Sequence, residues 1–238
     1  MKTLILTLAG AAALGTSANA SFDGFTAIAR AVNGNTLVDV FAVTSNANHK
    51  LYNVYDSAVT TSAIGGFFQA SGMASKTWKP DMSGFTSTRD SVDSFMTVGA
   101  SRYAGDTTVY AGVTTAGDPN FNGTSWNATP ASAPATGVPN LAGWYSTDPT
   151  DSSLLAEDLS GLTGLRVGTA GNFGVWVAHL VLGTTSTQTI GWQASATVKN
   201  LGTNVSQQIN FSETFTVPAP GAAALLALAG LGSRRRRA

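Results

Sequence analysis

The chain has 238 residues, of which 43% are hydrophobic and 11% charged, and it contains no cysteine. A charged fraction so far below the usual value of about 25% excludes a coiled coil and a basic nucleic-acid-binding arm, and the ample apolar content argues against disorder throughout. The missing cysteine excludes disulfides, thiolate metal sites and cysteine nucleophiles.

The first 20 residues have the three parts of a secretory signal peptide. Lys2 gives the positive start, residues 4–14 form a short apolar stretch, and Ala18 and Ala20 form a small-x-small cleavage motif. The apolar stretch is too short for a stable transmembrane helix. We therefore expect a signal-peptide helix that signal peptidase removes before Ser21.

Residues 21–216 are predicted to form one β domain. Apolar runs at 25–32 and 36–44 flank Asn33-Gly34, which is the strongest short signal for a hairpin. Further strands are expected at residues 51–59, 63–70, 94–98 and 107–114.

The C-terminal half of this domain has the clearest patterns. Residues 173–182 are apolar on both faces, which is typical of a strand buried on both sides. Residues 189–199 and 205–217 alternate between apolar and polar side chains, and the short Gly-containing loop between them predicts an antiparallel hairpin. The fold expected is all-β, a single antiparallel β-sandwich or jelly-roll-like domain; a β-solenoid is disfavoured because no repeat is found.

Residues 117–151 are rich in Pro, Asn, Gly and Thr and are predicted to form a long loop, where binding residues are often found. The aromatic residues Trp126, Trp144 and Tyr145 are candidates for stacking on sugar rings. The alternative is that the tryptophans fill the core, as is common in β domains.

The same region contains Asp118-Pro119-Asn120-Phe121-Asn122-Gly123, which matches the first half of a calcium-binding loop. Side-chain oxygens of Asp118, Asn120 and Asn122 would be the ligands. The twelfth position of the loop is Thr129 rather than the bidentate Glu of an EF-hand, and the same residue types are common in turns. No other cofactor is expected.

The two histidines give no support for catalysis. His179 lies in the most apolar strand and is expected to be a hydrogen-bonded core residue, whereas His49 lies in a sequence typical of a polar turn. No G-x-S-x-G motif surrounds any serine, and no carboxylate pair stands out as a glycosidase site. The chain is therefore predicted not to be an enzyme.

The C-terminal residues 217–238 combine a proline-containing motif, a 12-residue apolar run and an arginine cluster. Twelve residues are too few to cross a bilayer, and the arginines favour the cytoplasmic side. The elements stand in this order: the motif Val217, Pro218, Ala219 and Pro220, the apolar run 221–232, and the cluster Arg234, Arg235, Arg236 and Arg237.

This order resembles the PEP-CTERM sorting signal of exported bacterial proteins, although the usual Glu between the two prolines is Ala219 here. The resemblance implies a short sorting helix, a transient stage at the inner membrane, processing by an exosortase-type enzyme, and delivery to the cell surface or extracellular matrix. Segments of the β domain, such as residues 93–99 and 114–121, are also similar to uncharacterised exported domains that carry this type of tail.

The net charge of zero depends on the two ends of the chain. Without Lys2 and the four arginines of the tail, eight Lys and Arg residues stand against 13 Asp and Glu residues, which leaves a net charge of −5. Phosphate contacts need lysine and arginine, so nucleic acid is not an expected partner.

Together these features predict an exported, non-enzymatic surface or matrix protein with a structural or adhesive role and polysaccharide as the preferred partner. Two alternatives remain open: an extracellular carbohydrate-active enzyme and a calcium-stabilised subunit of a surface assembly.

Overall fold

The structure is a computed structural model, and it describes residues 21–69, 78–80, 93–99, 115–121, 137–183 and 187–219. These residues form strands in two antiparallel sheets, together with two short 3-10 helices at Pro119–Phe121 and Ser152–Leu154. The strands are β1 Phe22–Val32, β2 Asn35–Thr44, β3 His49–Thr61, β4 Phe95–Met96, β5 Thr115–Gly117, β6 Ala142–Ser146, β7 Glu157–Asp158, β8 Leu165–Gly168, β9 Phe173–Gly183, β10 Gln188–Asn200 and β11 Val205–Val217.

Sheet 1 has the strand order β4-β9-β2-β1-β8, and β7 also pairs with β9. Sheet 2 has the order β11-β10-β3-β6-β5. Every strand pairing in the two sheets is antiparallel. The prediction of an all-β, antiparallel architecture is therefore confirmed.

A common hydrophobic core lies between the two sheets. Sheet 1 contributes alternate residues of β1, β2 and β9, such as Val38 and Val177, and sheet 2 contributes Val54, Ala194 and Trp192 from β3 and β10. Because side chains alternate between the two faces of a strand, this core fixes which residues of each strand point outward.

Two hairpins form as the sequence predicts. The turn between β1 and β2 consists of Asn33 and Gly34, which both have positive φ, at 49° and 81°. This geometry matches the right-handed twist of the strands, and glycine adopts it without steric cost. Strands β10 and β11 pair over 13 residues each, with no shift of register.

Strand β1 of sheet 1 and strand β11 of sheet 2 are connected by side-chain hydrogen bonds rather than by strand pairing. Strand β1 has a bulge at its start, where its register with β2 shifts. The N–H of Phe25 there donates to Oε1 of Glu213 at 3.1 Å, and Thr169 Oγ1 donates to the same oxygen at 2.6 Å. Similarly, the N–H of Phe22 donates to Oε1 of Gln207 at 3.3 Å. The inward side chains of Gln207 and Glu213 thus accept from two N–H groups of β1 that do not bind a neighbouring strand.

Several predicted elements differ from the structure. The strand expected at 63–70 is wrong, because residues 62–66 turn and Ile64 is fully exposed. The strand expected at 94–98 shortens to β4. The long loop expected over 117–151 contains β6, which pairs with both β3 and β5. The strand expected at 107–114 lies outside the described residues, as do both predicted terminal helices.

Candidate functional site

The outer face of sheet 2 is the candidate site. Ala194, Ala196 and Val198 of β10 point into the core, so the residues between them point outward. All six outward side chains of β11 are exposed to solvent. We call this surface the open face, and its paired outward residues are Asn53, Tyr55, Ala58 and Thr60 on β3, Tyr145 on β6, Gln193, Ser195, Thr197 and Lys199 on β10, and Ser206, Gln208, Asn210, Ser212, Thr214 and Thr216 on β11.

The strand register aligns these side chains in rows across the sheet. One row runs from Tyr145 through Asn53 and Thr197 to Gln208. Within this row, Nε2 of Gln208 donates to Oγ1 of Thr197 at 3.3 Å. The hydroxyl and amide groups are therefore held in fixed relative positions by the sheet, and those of β11 are exposed, whereas Ser195 and Oδ1 of Asn53 are buried.

A second row contains Tyr55, Ser195 and Asn210, in which Nδ2 of Asn210 donates to Oγ of Ser195 at 3.0 Å. Tyr145 is 42% exposed and Tyr55 is partly exposed. Tyrosine offers an apolar ring face together with a polar hydroxyl, which is the combination that a sugar ring can match.

Charge is sparse on the open face. Its paired positions carry no carboxylate, and Lys199 lies at one end opposite Lys50 of β3. Lys50 is buried and its Nζ donates to the carbonyl oxygen of Pro149 at 2.6 Å. The paired positions at the centre of the face are therefore uncharged, and the exposed carboxylate of Asp56 lies beside them, in the bulge of β3 between Tyr55 and Ala58.

Asp118 reaches the same face from the end of β5. Its N–H donates to the carbonyl oxygen of Gly143, which lies two residues before Tyr145 on β6. A Cβ atom at position 143 would lie 2.9 Å from Oδ2 of Asp118 and 3.1 Å from Cα of Tyr55, so glycine is needed for this approach. The structure thus brings together two predicted sites, Asp118-Asn120 and Tyr145, that the sequence separates by 25 residues.

The arrangement of Asp118 and Asn120 is that of a capped turn. Oδ1 of Asp118 accepts from the N–H of Asn120 at 2.9 Å, and Nδ2 of Asn120 donates to the carbonyl oxygen of Leu141 at 2.9 Å. Within the described residues there is no group of three or more His, Asp or Glu side chains that could hold a metal ion. Asn122 lies outside the described residues, and calcium binding stays a prediction.

The sugar-stacking role predicted for Trp144 is wrong, because its side chain is fully buried in the core. Its Nε1–H donates to the carbonyl oxygens of Thr97 at 2.9 Å and Val177 at 3.1 Å, which links the two sheets. The adjacent Tyr145 points the opposite way, as the alternation of a strand requires. Trp126 lies outside the described residues.

A second polar cluster lies on the outer face of sheet 1, where it is buried. Nδ1 of His179 lies 2.6 Å from Oδ1 of Asp39, and Nη2 of Arg30 lies 3.4 Å from Oδ2 of Asp39. The ring of Phe95 stacks on His179 at 5.2 Å between centroids. The prediction that His179 is a hydrogen-bonded buried residue is confirmed.

The ionisation of these buried groups follows from their surroundings. Burial alone would raise the pKa of Asp39, but the neighbouring His179 and Arg30 lower it below the ordinary value of 3.8. The predicted polar turn forms over residues 45–48, but His49 itself is buried at the start of β3, and this burial lowers its pKa below 6.5.

Sequence reasoning missed Asp39 and Tyr55. The signal for Asp39 was present, because it is a lone charge in the apolar run 37–43 and a buried charge needs a partner. Tyr55 gave no such signal, since its orientation depends on two shifts of register between β3 and β10.

The processing motifs are largely beyond the described residues. Ser21 precedes β1 directly, and Val217 ends β11 with its side chain buried, followed by Pro218 and Ala219. Ala18, Ala20, Pro220 and the four arginines are not among the described residues. In the described part of the chain, no helix has the length and apolar character needed to cross a membrane.

Comparison with models of protein families, with curated proteins and with solved structures finds no match for this chain.

Proposed function

We propose that this chain is an exported, non-enzymatic surface or extracellular-matrix protein whose β-sandwich domain binds polysaccharide through the open face of sheet 2. The observation that carries the proposal is the row from Tyr145 to Gln208, in which an exposed aromatic ring continues into uncharged amide and hydroxyl groups.

The chemistry of the open face suits sugars better than charged ligands. A sugar ring has an apolar face of C–H groups and a rim of hydroxyls, so it can stack on tyrosine and hydrogen-bond to Ser, Thr, Asn and Gln. The face extends across several strands, which suits a chain of sugars rather than a single small molecule. Rows fixed by the sheet also reduce the entropy lost on binding.

A structural rather than catalytic role is supported by the environment of the Asp39–His179 pair. His179 is fully buried, and Asp39 is 3% exposed. Phe95 and Trp176 enclose the imidazole ring, with centroid distances of 5.2 and 6.0 Å. A general base must lie within hydrogen-bond reach of its substrate, and this pair is sealed from solvent.

Export and surface delivery rest on the signal peptide and on the PEP-CTERM-like tail. The end of β11 at Val217 fits this part of the proposal, because cleavage after Pro218 would leave every strand of both sheets intact. The proposed partners are signal peptidase, an exosortase-type enzyme and the host's extracellular polysaccharide.

The test compares wild-type protein with a Tyr145→Ala variant, both isolated from the host, in a sedimentation assay with the host's own polysaccharide. Loss of one stacking contact is expected to weaken binding roughly three- to tenfold. Ile64→Ala is the matched control, because it also removes an exposed apolar side chain but lies in a turn outside the face. Equal binding by wild type and Tyr145→Ala would reject the open face as the binding surface.

The mass of the isolated protein tests the export part independently. An N-terminus at Ser21 and a C-terminus near residues 216–221 are expected. A chain that still carries Arg234–Arg237 would reject exosortase-type processing, whatever the outcome of the binding assay.

A further inference from the structure

Among the described residues, the β11 edge of sheet 2 differs from the other sheet edges. The terminal strands β4, β5 and β8 have two, three and four residues, whereas β11 has 13. Short edge strands are one of the devices by which proteins prevent unwanted pairing between sheets. Strand β11 lacks this protection.

Strand β11 also lacks three other common devices, namely proline, lysine and a bulge, although it carries one inward-pointing charge. Its sequence contains no proline and no lysine, and its register with β10 runs without a bulge from Val205 to Val217. Its one charged residue, Glu213, points inward and is held by the N–H of Phe25 and the hydroxyl of Thr169. Within the described residues β11 pairs with β10 alone, and sheet 1 approaches it through side chains.

Apolar side chains are left partly exposed along the same edge. Ile209 and Phe211 point inward but are only partly buried, and Val205 is 43% exposed. The core therefore extends to the edge of sheet 2 without being completely covered there. A strand added beside β11 would cover these side chains and pair with the main-chain groups on the side of β11 that faces away from β10.

We propose that two copies of this chain associate through antiparallel pairing of their β11 strands, which joins the two five-stranded sheets 2 into one continuous sheet. A second copy fits because antiparallel pairing of a strand with itself obeys a two-fold axis and is self-complementary. Complete overlap of the 13 residues places the axis at Phe211, the middle residue of the strand.

This register keeps the inward and outward faces of the two paired strands on the same sides of the joined sheet. Outward residues face outward residues, so Asn210 lies opposite Ser212 of the second copy, and Gln208 lies opposite Thr214. Glu213 lies opposite Ile209, so no like charges are opposed. The two open faces then form one surface of twice the width. The association itself does not depend on polysaccharide binding.

The test is sedimentation velocity of the processed protein isolated from its host, over a range of concentrations. Wild type is expected to form a dimer. Asn210→Lys combined with Ser212→Lys places lysines directly opposite one another and is expected to raise the dimer dissociation constant about tenfold or more. Gln193→Lys with Thr197→Lys is the matched control, since it adds the same charge to the same face but on the central strand β10.

A second pair of substitutions, with the opposite charge, distinguishes loss of β11 pairing from misfolding of the variant. Asn210→Asp with Ser212→Asp is also expected to be monomeric alone, and an equimolar mixture of the lysine and aspartate variants is expected to dimerise. Wild type that stays monomeric up to its solubility limit would overturn the proposal. A dimer unaffected by the paired lysines would also overturn the proposal, because association would then use another surface. A mixture of the two variants that fails to dimerise, although circular dichroism shows both to be folded, would overturn it as well.

Discussion

The outer face of sheet 1 is buried and the outer face of sheet 2 is exposed, although side chains alternate between the two faces in the strands of both sheets. On sheet 1 the outward residues include Phe41, Trp176 and Asp39, and all three are buried. On sheet 2 the corresponding outward positions carry Gln193 and Gln208, which are exposed. Sheet 1 therefore has a core on each face and serves as the scaffold, whereas sheet 2 has one core face and presents the other to the surroundings.

Short segments between the main strands cover the outer face of sheet 1. Phe95 of β4 packs edge-on against Trp176 at 5.5 Å between centroids, and Leu159 and Leu162 pack against the same cluster. Arg166 holds the second segment in place, with Nη2 donating to the carbonyl oxygen of Leu159 at 2.6 Å. Among the described residues, the cover on sheet 1 comes from its own edge strand β4 and from the loop that carries Leu159 and Leu162.

Among the tests of this difference in burial, the largest loss of stability is expected for Trp176→Ala on the covered outer face of sheet 1. Removing a buried tryptophan is expected to lower the free energy of unfolding by about 3–5 kcal/mol, measured by denaturant titration. Tyr145→Ala on the open face is the matched aromatic control and is expected to change it by about 0.5 kcal/mol or less. Similar losses for both variants would show that the two faces do not differ in burial.

Asp39→Ala tests the polar part of the covered face. It leaves His179 and Arg30 without their carboxylate partner, and breaking a buried ion pair in this way is expected to cost about 3 kcal/mol. Asp39→Asn keeps an oxygen that can accept from Nδ1 of His179, so it should cost less. A loss below about 1 kcal/mol for Asp39→Ala would mean that the pair is not sealed from water.

Glu213→Ala tests the place where the two sheets are joined. The N–H of Phe25 loses its acceptor, and an unsatisfied main-chain group is expected to lower stability by about 1–3 kcal/mol. Glu213→Gln retains a carbonyl oxygen and should recover part of the loss. If the glutamine variant is as unstable as the alanine variant, the hydrogen bond is not the source of the stabilisation.

The smallest effect expected is a loss of folding stability at low pH. The pKa of Asp39 in the folded protein lies below the ordinary value of 3.8, so its ionised form contributes stability above about pH 3.8. This contribution is lost as the pH falls through the lower pKa of the folded state. Unfolding midpoints measured from about pH 6 to about pH 3 should therefore fall less steeply for Asp39→Asn than for wild type. Parallel profiles for the two proteins would contradict this assignment.

The parts of the fold that sequence predicted are those with local signals. The Asn33-Gly34 turn and the alternation of residues 205–217 each specify a hairpin within a short stretch, and both are present. The apolar strand at 173–182 is equally clear, and its burial on both faces is confirmed. These features depend on neighbouring residues rather than on the rest of the chain.

Non-local pairing explains what the sequence did not predict. Strand β6 is five residues long and lies among turn residues, and it is a strand because it pairs with β3 and β5. The strand expected at 63–70 does not form because the chain turns at residues 63–66, and the following Phe68 pairs with sheet 1 through Val181 of β9. For the candidate site, sequence supplied Tyr145 and Asp118, but only the sheet register places them beside Tyr55 on one face.

The alternation along β11 has a consequence for how this protein can vary. Its inward residues, such as Phe215 and Glu213, are constrained by the core and by β1, whereas its outward hydroxyl and amide groups touch neither. Substitutions at the outward positions can therefore accumulate without loss of folding. Descendants of this sequence can acquire new surface chemistry on an unchanged framework, because selection for stability and selection on the exposed surface act on different residues of the same strand.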